Sequence, residues 1–527
     1  MKNIFPYFLL SKVEKKAFIN IFLISLFAMS SLLLANILYS DDLTRVTTGE
    51  TFWNDNGRPL SSLISLVLQL GKPLTDISPL PQVLAFAIYS LSAVYLGKLF
   101  KVHDLLLLTL SGVIFVINPF NLQNFAFVFD SFTMAVAILT STLAALSISV
   151  SVNDQFNRKE KIINFSLSLL LLVCSLCLYQ ASTSVYLVTC FFDALVKLLR
   201  RQNKKSFNVF ITSIIILLFS FIAYSPIKNF YITNEYNLHH SQLISFSDFP
   251  QKVIKNVLSS WDNIQQSLGN GTLINLFYIL FVTTILTIII NTVISQKNKN
   301  SNSKSLLQYL LFLTFPVFYI LLLIIGVSGV MLVLENPIFA PRTMMGFSTL
   351  VAICCLFLSN KVLQRTQKYL KYCLISFLFI LSLAFSNVSF TLGNVLYSQN
   401  VQDEIIVTIL ISDLGEIVPK LPISQQHPTL AIVNALNYTY GNIQAYKKYP
   451  ILNRITWYYL NSNQIQFYTK LETLGFKFAS PDYQKDIFTG VDNQFIPKTE
   501  AVLIRPLYRI YFENNNLLVV VLQNPNS

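Results

Sequence analysis

Long apolar runs alternate with short polar segments over the first 392 residues of the chain. A helix needs about 20 mainly apolar residues to cross the hydrocarbon core of a bilayer. By that length the sequence predicts eleven membrane-spanning helices, and the pattern is typical of a polytopic α-helical membrane protein. The predicted spans cover residues 17–38, 82–100, 104–119, 131–150, 162–179, 182–199, 207–225, 272–294, 307–333, 342–360 and 372–392.

The composition agrees with this pattern. Apolar residues make up 53% of the chain and charged residues only 12%, about half the charged fraction of an ordinary soluble protein. The six cysteines all lie inside apolar runs, which excludes a disulfide-stapled secreted module and argues against a zinc site. The chain also carries a net charge of +13, which raises the question of nucleic-acid binding.

The distribution of lysine and arginine answers that question. The N-terminus and the loops on its side of the membrane hold 21 basic residues, whereas the opposite loops hold seven. Cytoplasmic loops of membrane proteins carry the excess of basic residues. The bias therefore predicts a cytoplasmic N-terminus, and it removes the reason to expect nucleic-acid binding.

Two outer loops are longer than simple connectors. The first spans residues 39–81 and contains an apolar stretch at 60–70 that is too short to cross the membrane, so an interfacial or re-entrant helix is predicted there. The second spans residues 226–271. Its apolar residues have the spacing of one helix face, which predicts a helix lying in the outer membrane interface: Val253, Ile254, Val257, Leu258, Trp261 and Ile264.

Residues 393–527 have the composition of a soluble domain. The pattern predicts a helix at 402–418, a buried strand at Thr429–Leu436, and a hairpin whose strands flank the turn at Asn514-Asn515-Asn516. Because the predicted number of spans is odd, this small α/β domain is expected outside, in the periplasm. The chain therefore divides into a membrane region, 1–392, and a periplasmic domain, 393–527.

Ionisable residues favour an enzyme over a coupled transporter. A transporter commonly places such groups near the middle of the bilayer, but almost no predicted span carries a charge at its centre. Asp41, Asp42, Asp130 and Arg342 instead lie at the outer ends of spans. Groups at one depth can converge on one site, which indicates an interfacial enzyme that uses a lipid-borne substrate.

The order of several short motifs resembles a known family. Tyr39-Ser40-Asp41-Asp42-x-x-Arg45 is followed by Trp53, by Asn56-Gly57-Arg58-Pro59-Leu60, by Phe129-Asp130-Ser131 and by Tyr179-Gln180-Ala181-Ser182. With the span count, this order resembles the serotype-converting O-antigen glucosyltransferases of bacteria and temperate phages, which are membrane enzymes of the GT-C superfamily. The resemblance covers residues 15–390, and the tail carries no matching motif.

The resemblance implies both substrates. The donor would be a hexose, usually glucose, on undecaprenyl phosphate, and the acceptor would be a sugar of a lipid-linked O-antigen or other surface polysaccharide on the periplasmic face. No cofactor is implied and no metal site is predicted. Some GT-C enzymes use a divalent ion, and Asp41 and Asp42 are the carboxylates that could hold one.

The chemistry of such a transfer suggests roles for the residues. Asp41 and Asp42 are the candidates for the catalytic base that takes a proton from the acceptor hydroxyl. Arg342, Arg58 and Arg45 are the candidates for binding the donor phosphate, with the first two better placed because Arg45 has the spacing to pair with either aspartate. Three further residues are candidates for binding sugar hydroxyls: Asp130, Tyr179 and Gln180.

Simpler interpretations stay open for several of these residues. Arg342 could reach the outer headgroups without binding substrate, Arg58 could fix its loop through a salt bridge, and Asp130 could cap a helix. Tyr179 could belong to an aromatic belt. For the whole chain, the alternatives to a glycosyltransferase are a flippase for lipid-linked sugars, a polysaccharide polymerase and a non-catalytic membrane assembly factor.

Overall fold

The computed structural model describes most of the chain. The described ranges are 5–297, 306–364, 368–421, 428–436, 438–456, 459–460, 465–480, 497–513 and 516–523.

The described residues are predominantly helical. The helices are α1 Phe5–Phe8, α2 Lys12–Ala28, α3 Ser30–Ala35, α4 Asp41–Thr48, α5 Pro59–Leu68, α6 Leu80–Leu99, α7 Leu105–Val116, α8 Leu122–Ala126, α9 Ser131–Ser151, α10 Arg158–Leu178, α11 Thr183–Leu199, α12 Asn203–Tyr231, α13 Glu235–Ser241, α14 Phe249–Leu268, α15 Thr272–Lys297, α16 Leu306–Gly326, α17 Met345–Gln364, α18 Lys368–Ile417, α19 Tyr440–Lys448, α20 Pro450–Ile455 and α21 Ile465–Thr473.

Eight of the described helices are long and apolar enough to cross a membrane. A ninth is obtained if the bent pair Leu105–Val116 and Pro119–Ala126, which meet at 46°, is counted as one span. The predicted span 17–38 is divided at Met29 into α2 and α3, and the described apolar part of the predicted span 307–333 covers only Thr314–Gly326. The membrane-protein class is therefore supported, while the total of eleven spans stays a prediction.

Small polar residues let the central spans approach closely. Ser141 on α9 and Ser175 on α10 share a hydrogen bond of 2.7 Å between their hydroxyl oxygens, and the Ser168 hydroxyl donates to the Ala144 carbonyl at 2.8 Å. Side chains of this size allow helix backbones to come together in a membrane and supply hydrogen bonds across the contact. The packing fixes the start of α9 beside the end of α10, where several of the predicted site residues lie.

The α3–α18 contact gives a test of the packing. A Cβ atom added at Gly393 would lie 2.4 Å from the backbone carbon of Ser31 and 2.5 Å from the Leu32 nitrogen, whereas one added at Gly415 on the same helix would meet nothing within 4 Å. Because backbone atoms cannot yield as a flexible side chain does, we expect Gly393→Ala to lower the free energy of unfolding by about 1–3 kcal/mol.

Thermal unfolding of the detergent-purified variants would measure this effect. Gly415→Ala is the matched control, since it makes the same substitution in α18 without a clash, and it should leave the melting temperature equal or slightly higher. Equal melting temperatures for the wild type and Gly393→Ala would contradict the close crossing of α18 and α3.

The tail contains a four-stranded sheet in the order β1, β4, β3, β2, where the strands are β1 Thr429–Val433, β2 Ala501–Ile504, β3 Tyr508–Glu513 and β4 Leu517–Leu522. Strand β4 is parallel to β1 and antiparallel to β3. The predicted strand at 429–436 and the predicted hairpin are thus confirmed, although two residues of its turn, 514 and 515, lie outside the described residues.

Helix α18 joins the membrane region to the tail. It has 50 residues and runs through position 392 without a break, so the predicted span at 372–392 and the predicted helix at 402–418 are one continuous element. Its C-terminal part buries Ile406, Val407 and Leu410 in the same apolar cluster as the inward side chains of the sheet. The domain limits at 392 and 393 stay a prediction.

The two predicted outer-loop helices are both present. The first is α5, a ten-residue apolar helix. The second is α14, whose buried face combines polar side chains with Ile264 and Leu268. On this face the Asn256 amide donates to the carbonyl oxygens of Leu332 and Leu334 at 3.1 and 2.9 Å. Ile254 and Leu258 are exposed on the opposite face, as a helix lying in a membrane interface requires.

Candidate functional site

Four chain segments meet at one end of the helix bundle. They are the loop and short helices at 39–58, the segment after the bend at 123–130, the junction of α10 and α11 at 179–180, and the turn at 340–343 that precedes α17. Every residue that the sequence nominated lies in one of these segments. The structure therefore brings together carboxylates and arginines that are up to about 300 positions apart in the chain.

Asp42 is completely buried and is held by the backbone. Its carboxylate accepts hydrogen bonds from the N–H groups of Tyr39 at 3.2 Å, Val128 at 2.7 Å and Phe129 at 3.2 Å. Burial raises the pKa of Asp42 to about 7, a shift that the Asp130 carboxylate increases and that Arg45 and two of these N–H groups oppose. Asp42 thus connects the start of α4 to the segment before α9.

Arg45 and Asp130 form a buried ion pair beside Asp42. One terminal nitrogen of Arg45 lies 2.8 Å from an Asp130 oxygen and 3.7 Å from an Asp42 oxygen, and the guanidinium stands 4.3 Å from the centre of the Trp53 ring. The Trp53 indole donates to the other Asp130 oxygen at 2.7 Å. Of the two aspartates with which its spacing allows Arg45 to pair, Asp42 is the one that it contacts. Asp130 makes no side-chain hydrogen bond as the cap of α9, because its carboxylate is engaged in this cluster.

Arg58 is fixed in its loop by three contacts. Its Nε donates to Gln180 at 3.1 Å, its guanidinium lies 4.5 Å from the centre of the Tyr179 ring, and a terminal nitrogen is 3.9 Å from Asp130. Gln180 in turn donates to Tyr224 at 2.8 Å. Burial lowers the pKa of Arg58. With 22% of its side chain exposed, Arg58 retains a surface that can face a ligand.

Asp41 differs from its neighbour Asp42 because its side chain is exposed. The residue before it, Ser40, has φ of 52° and ψ of −112°, a conformation that is unfavourable for any residue except glycine. Strained backbone of this kind tends to occur at functional sites. The strain lies at the residue before α4, in which Asp41 is exposed and Asp42 is buried.

Arg342 is half-buried and is not neutralised by a direct contact. Its guanidinium lies 4.9 Å from the centre of the Phe127 ring, and none of the described residues places a carboxylate within 4.0 Å of it. Burial disfavours its charged form, but Tyr179, Asp41, Tyr39 and Asp130 together outweigh that effect, so the pKa of Arg342 is raised. Arg342 therefore offers a cationic surface within electrostatic range of the exposed Asp41.

Gln123 holds the backbone of Arg342 in place, and the sequence did not identify it as a site residue. Gln123 accepts a hydrogen bond from the Arg342 backbone N–H at 3.0 Å and donates to the Tyr39 hydroxyl at 3.2 Å, so it connects the segment of Asp41 with that of Arg342. The available signal is the break in the apolar pattern at residues 119–123, where the predicted span 104–119 ends.

The tail also contacts the site, and no sequence pattern predicts this. The Tyr39 hydroxyl donates to the carbonyl of Ile455, and the Tyr459 hydroxyl donates to the carbonyl of Leu38 at 2.5 Å. Residues of α20 are buried in the same apolar cluster as the spans. The C-terminal segment therefore lies against the chain immediately before Asp41.

Metal binding has no support from side-chain clusters in the described parts of the chain. Searched over those residues, no group of three or more histidine, cysteine, aspartate or glutamate side chains is placed to hold an ion. Asp42 already has its acceptor sites occupied by three N–H groups, which makes it a poor partner for Asp41 in binding a cation. Independence from metal ions stays a prediction.

Comparisons with known proteins support the class of membrane enzyme that these features indicate. The family model described as "Glucosyl transferase GtrII" matches residues 30–353, more than half of the chain, and this protein belongs to that family. The match covers all four segments of the site. The family match supports a glucosyltransferase in O-antigen modification, and the apolar helices support its association with a membrane.

A relative from Salmonella phage P22 is similar over much of its length. It is 27% identical over 345 residues, which cover 65% of this chain and 68% of the relative, and it is described as "Uncharacterized 55.3 kDa protein in gtrB 5'region". No solved structure matches the chain.

Proposed function

We propose that the protein transfers glucose from a polyprenyl-phosphate glucose to a sugar hydroxyl of a lipid-linked O-antigen on the outer face of the bacterial inner membrane. The observation that carries this proposal is an exposed carboxylate, Asp41, within electrostatic range of a half-buried arginine, Arg342, that has no ion-pair partner among the described residues. A base and a cation at this depth match an acceptor hydroxyl and the phosphate head of a membrane-anchored donor.

Asp41 and Arg342 have different roles in the proposed reaction. Asp41 takes the proton from the acceptor hydroxyl as its oxygen forms a bond to the anomeric carbon of glucose, and the bond from that carbon to the phosphate oxygen breaks. The phosphate leaves with the bonding electron pair. Arg342 then stabilises the added negative charge, because a guanidinium can donate two parallel hydrogen bonds to a phosphate.

The buried cluster supports these groups without contacting substrate. Asp42, Arg45 and Asp130 hold the start of α4 against the start of α9, and their charges are satisfied by one another and by backbone N–H groups. We therefore assign them as positioning residues. Among the predicted phosphate-binding residues, Arg58 is the second candidate after Arg342, since 22% of its side chain is exposed.

Tyr179 and Gln180 contribute to the same wall of the site. Tyr179 presents its ring to Arg58, and its hydroxyl lies 3.5 Å from the carbonyl oxygen of Arg342. Gln180 is half-buried and bonded to Arg58, so its contact with a sugar hydroxyl would be made at the edge of the site. Both remain candidates for orienting the acceptor.

The proposed orientation predicts which loops are accessible from outside the cell. With the native cysteines replaced, we expect Asp262→Cys on α14 to react with a membrane-impermeant maleimide in cells whose outer membrane has been permeabilised. Lys159→Cys, at the start of α10, should react only after the inner membrane is opened. Both positions are exposed, so each is the control for the other. The reverse pattern would place the candidate site in the cytoplasm and contradict the proposal.

The nature of the donor is tested with the purified protein and radiolabelled glucose. Transfer to lipid-linked O-antigen is expected from polyprenyl-phosphate glucose and not from a nucleotide-linked glucose, because the proposed site recognises one phosphate at the membrane surface. Transfer from the nucleotide sugar alone would contradict the proposed donor. A heat-denatured sample controls for spontaneous exchange of label.

A further inference from the structure

A second polar site lies at the opposite end of the bundle. A cavity of about 760 Å³ is lined by the end of α9, the start of α10 and the start of α12. Helix α9 has 21 residues and begins beside Asp130, so the cavity lies about 30 Å from the candidate catalytic site. It therefore plays no direct part in the proposed transfer.

The cavity has a strong excess of positive charge. Five basic side chains line it: Arg158, Lys161, Arg201, Lys204 and Lys205. Lys205 is 2.8 Å from Asp154, which is the one acidic residue in the lining. Among the described residues, the other four basic side chains have no carboxylate within 4.0 Å. Such a concave arrangement of unneutralised cations favours an anionic ligand.

Apolar side chains lie in the lining of this basic cavity and on the helix that leaves it. Ile162 and Phe165 form part of the lining. On α12, Phe207, Ile211 and Ile215 are exposed and spaced four residues apart, so they share one face of the helix that leads away from the cavity. A ligand that satisfies both surfaces needs an anionic head and apolar chains.

We propose that this cavity binds the headgroup of an anionic membrane phospholipid, with its acyl chains lying along α12. The positive-inside bias alone accounts for basic residues on this side of the membrane, but it does not require them to surround a cavity that opens beside an apolar helix face. Basic pockets between transmembrane helices are suited to anionic lipid heads.

The proposal is tested by lipid binding to the purified protein in zwitterionic phosphatidylcholine nanodiscs. We expect added phosphatidylglycerol or cardiolipin to bind and to raise the melting temperature. Replacing Lys161, Arg201 and Lys204 by glutamine should weaken binding on the order of 100-fold. The matched control replaces Lys12, Lys15 and Lys16 by glutamine, which removes three exposed charges from the same side outside the cavity.

The outcomes separate the sources of an anionic ligand. Retained binding in the control, loss in the cavity variant, and no effect of millimolar inorganic phosphate would support the phospholipid. Equal loss in both variants would overturn the proposal and indicate general surface attraction. Comparable stabilisation by inorganic phosphate, or tighter binding of a polyprenyl phosphate, would also overturn it. Because all three cavity positions are solvent-accessible, a circular dichroism spectrum like that of the wild type is expected for the variant.

Discussion

Replacing Asp41 by asparagine is expected to lower kcat at least about 100-fold while the melting temperature stays unchanged. The amide keeps the size of the side chain but cannot accept the proton of the acceptor hydroxyl, and general-base catalysis contributes about 10²–10⁴-fold. Because Asp41 is exposed, the fold does not depend on its charge. Steady-state transfer and thermal unfolding measured on one preparation would test both parts.

Two matched variants make this result specific. Asp55→Asn makes the same change at an exposed position of the same loop and should keep wild-type turnover. Asp42→Asn should instead lower the free energy of unfolding by about 1–3 kcal/mol, because its amide N–H₂ would face one of the backbone N–H donors that the carboxylate now satisfies. Near-wild-type turnover in Asp41→Asn would remove this residue from the chemistry.

Replacing Arg342 by alanine is expected to reduce kcat/KM for the donor on the order of 100-fold. The guanidinium is half-buried over Phe127 and has no ion-pair partner among the described residues, so its charge is available to the departing phosphate. Arg342→Lys should lose less, because lysine keeps the charge but cannot form two parallel hydrogen bonds. Transfer rates measured against donor concentration would give the KM and kcat of each variant.

The control for removing a positive charge is Arg509→Ala, at an exposed position on strand β3 of the tail. It should leave the donor kinetics unchanged. If Arg342 merely reaches the lipid headgroups, lysine would serve as well as arginine. Wild-type kinetics in Arg342→Lys, with only a lower yield of folded protein in Arg342→Ala, would therefore reduce Arg342 to a membrane anchor.

The sequence predicts that the candidate site residues lie close together, because a charged side chain in the middle of a membrane helix costs free energy. Charged residues are therefore expected at the ends of spans, and the order of the spans places three of these ends on the same side of the membrane: those of Asp41, Asp130 and Arg342. The structure places them in one site, and the family comparison supports the class of enzyme that their chemistry suggested.

The separate roles of Asp41 and Asp42 could not be predicted in this way. Successive residues on a helix point about 100° apart, so the two carboxylates face different surroundings. Asp42 is the one that accepts hydrogen bonds from the N–H groups of Val128 and Phe129, which come from a segment distant in the sequence. No periodic pattern in the sequence contains that information.

The docking of the tail could not be predicted either. The contact between Tyr39 and Ile455 joins positions 416 residues apart, and that between Leu38 and Tyr459 joins positions 421 apart. Each is a single hydrogen bond to a backbone carbonyl, which any residue type provides. The bend after Val116 was missed for a related reason, because the apolar pattern continues through Ile117 and hides the end of the helix.

The most direct test of the account is the structure of the O-antigen made in cells. Cells that synthesise polyprenyl-phosphate glucose and an unmodified O-antigen would express the wild type or Asp41→Asn at equal levels in the membrane, and the polysaccharides would be compared by mass spectrometry and NMR. The account predicts one added glucose per modified repeat with the wild type and none with the variant. Glucosylated O-antigen in both strains would contradict the assigned site, and its absence in both would contradict the proposed function.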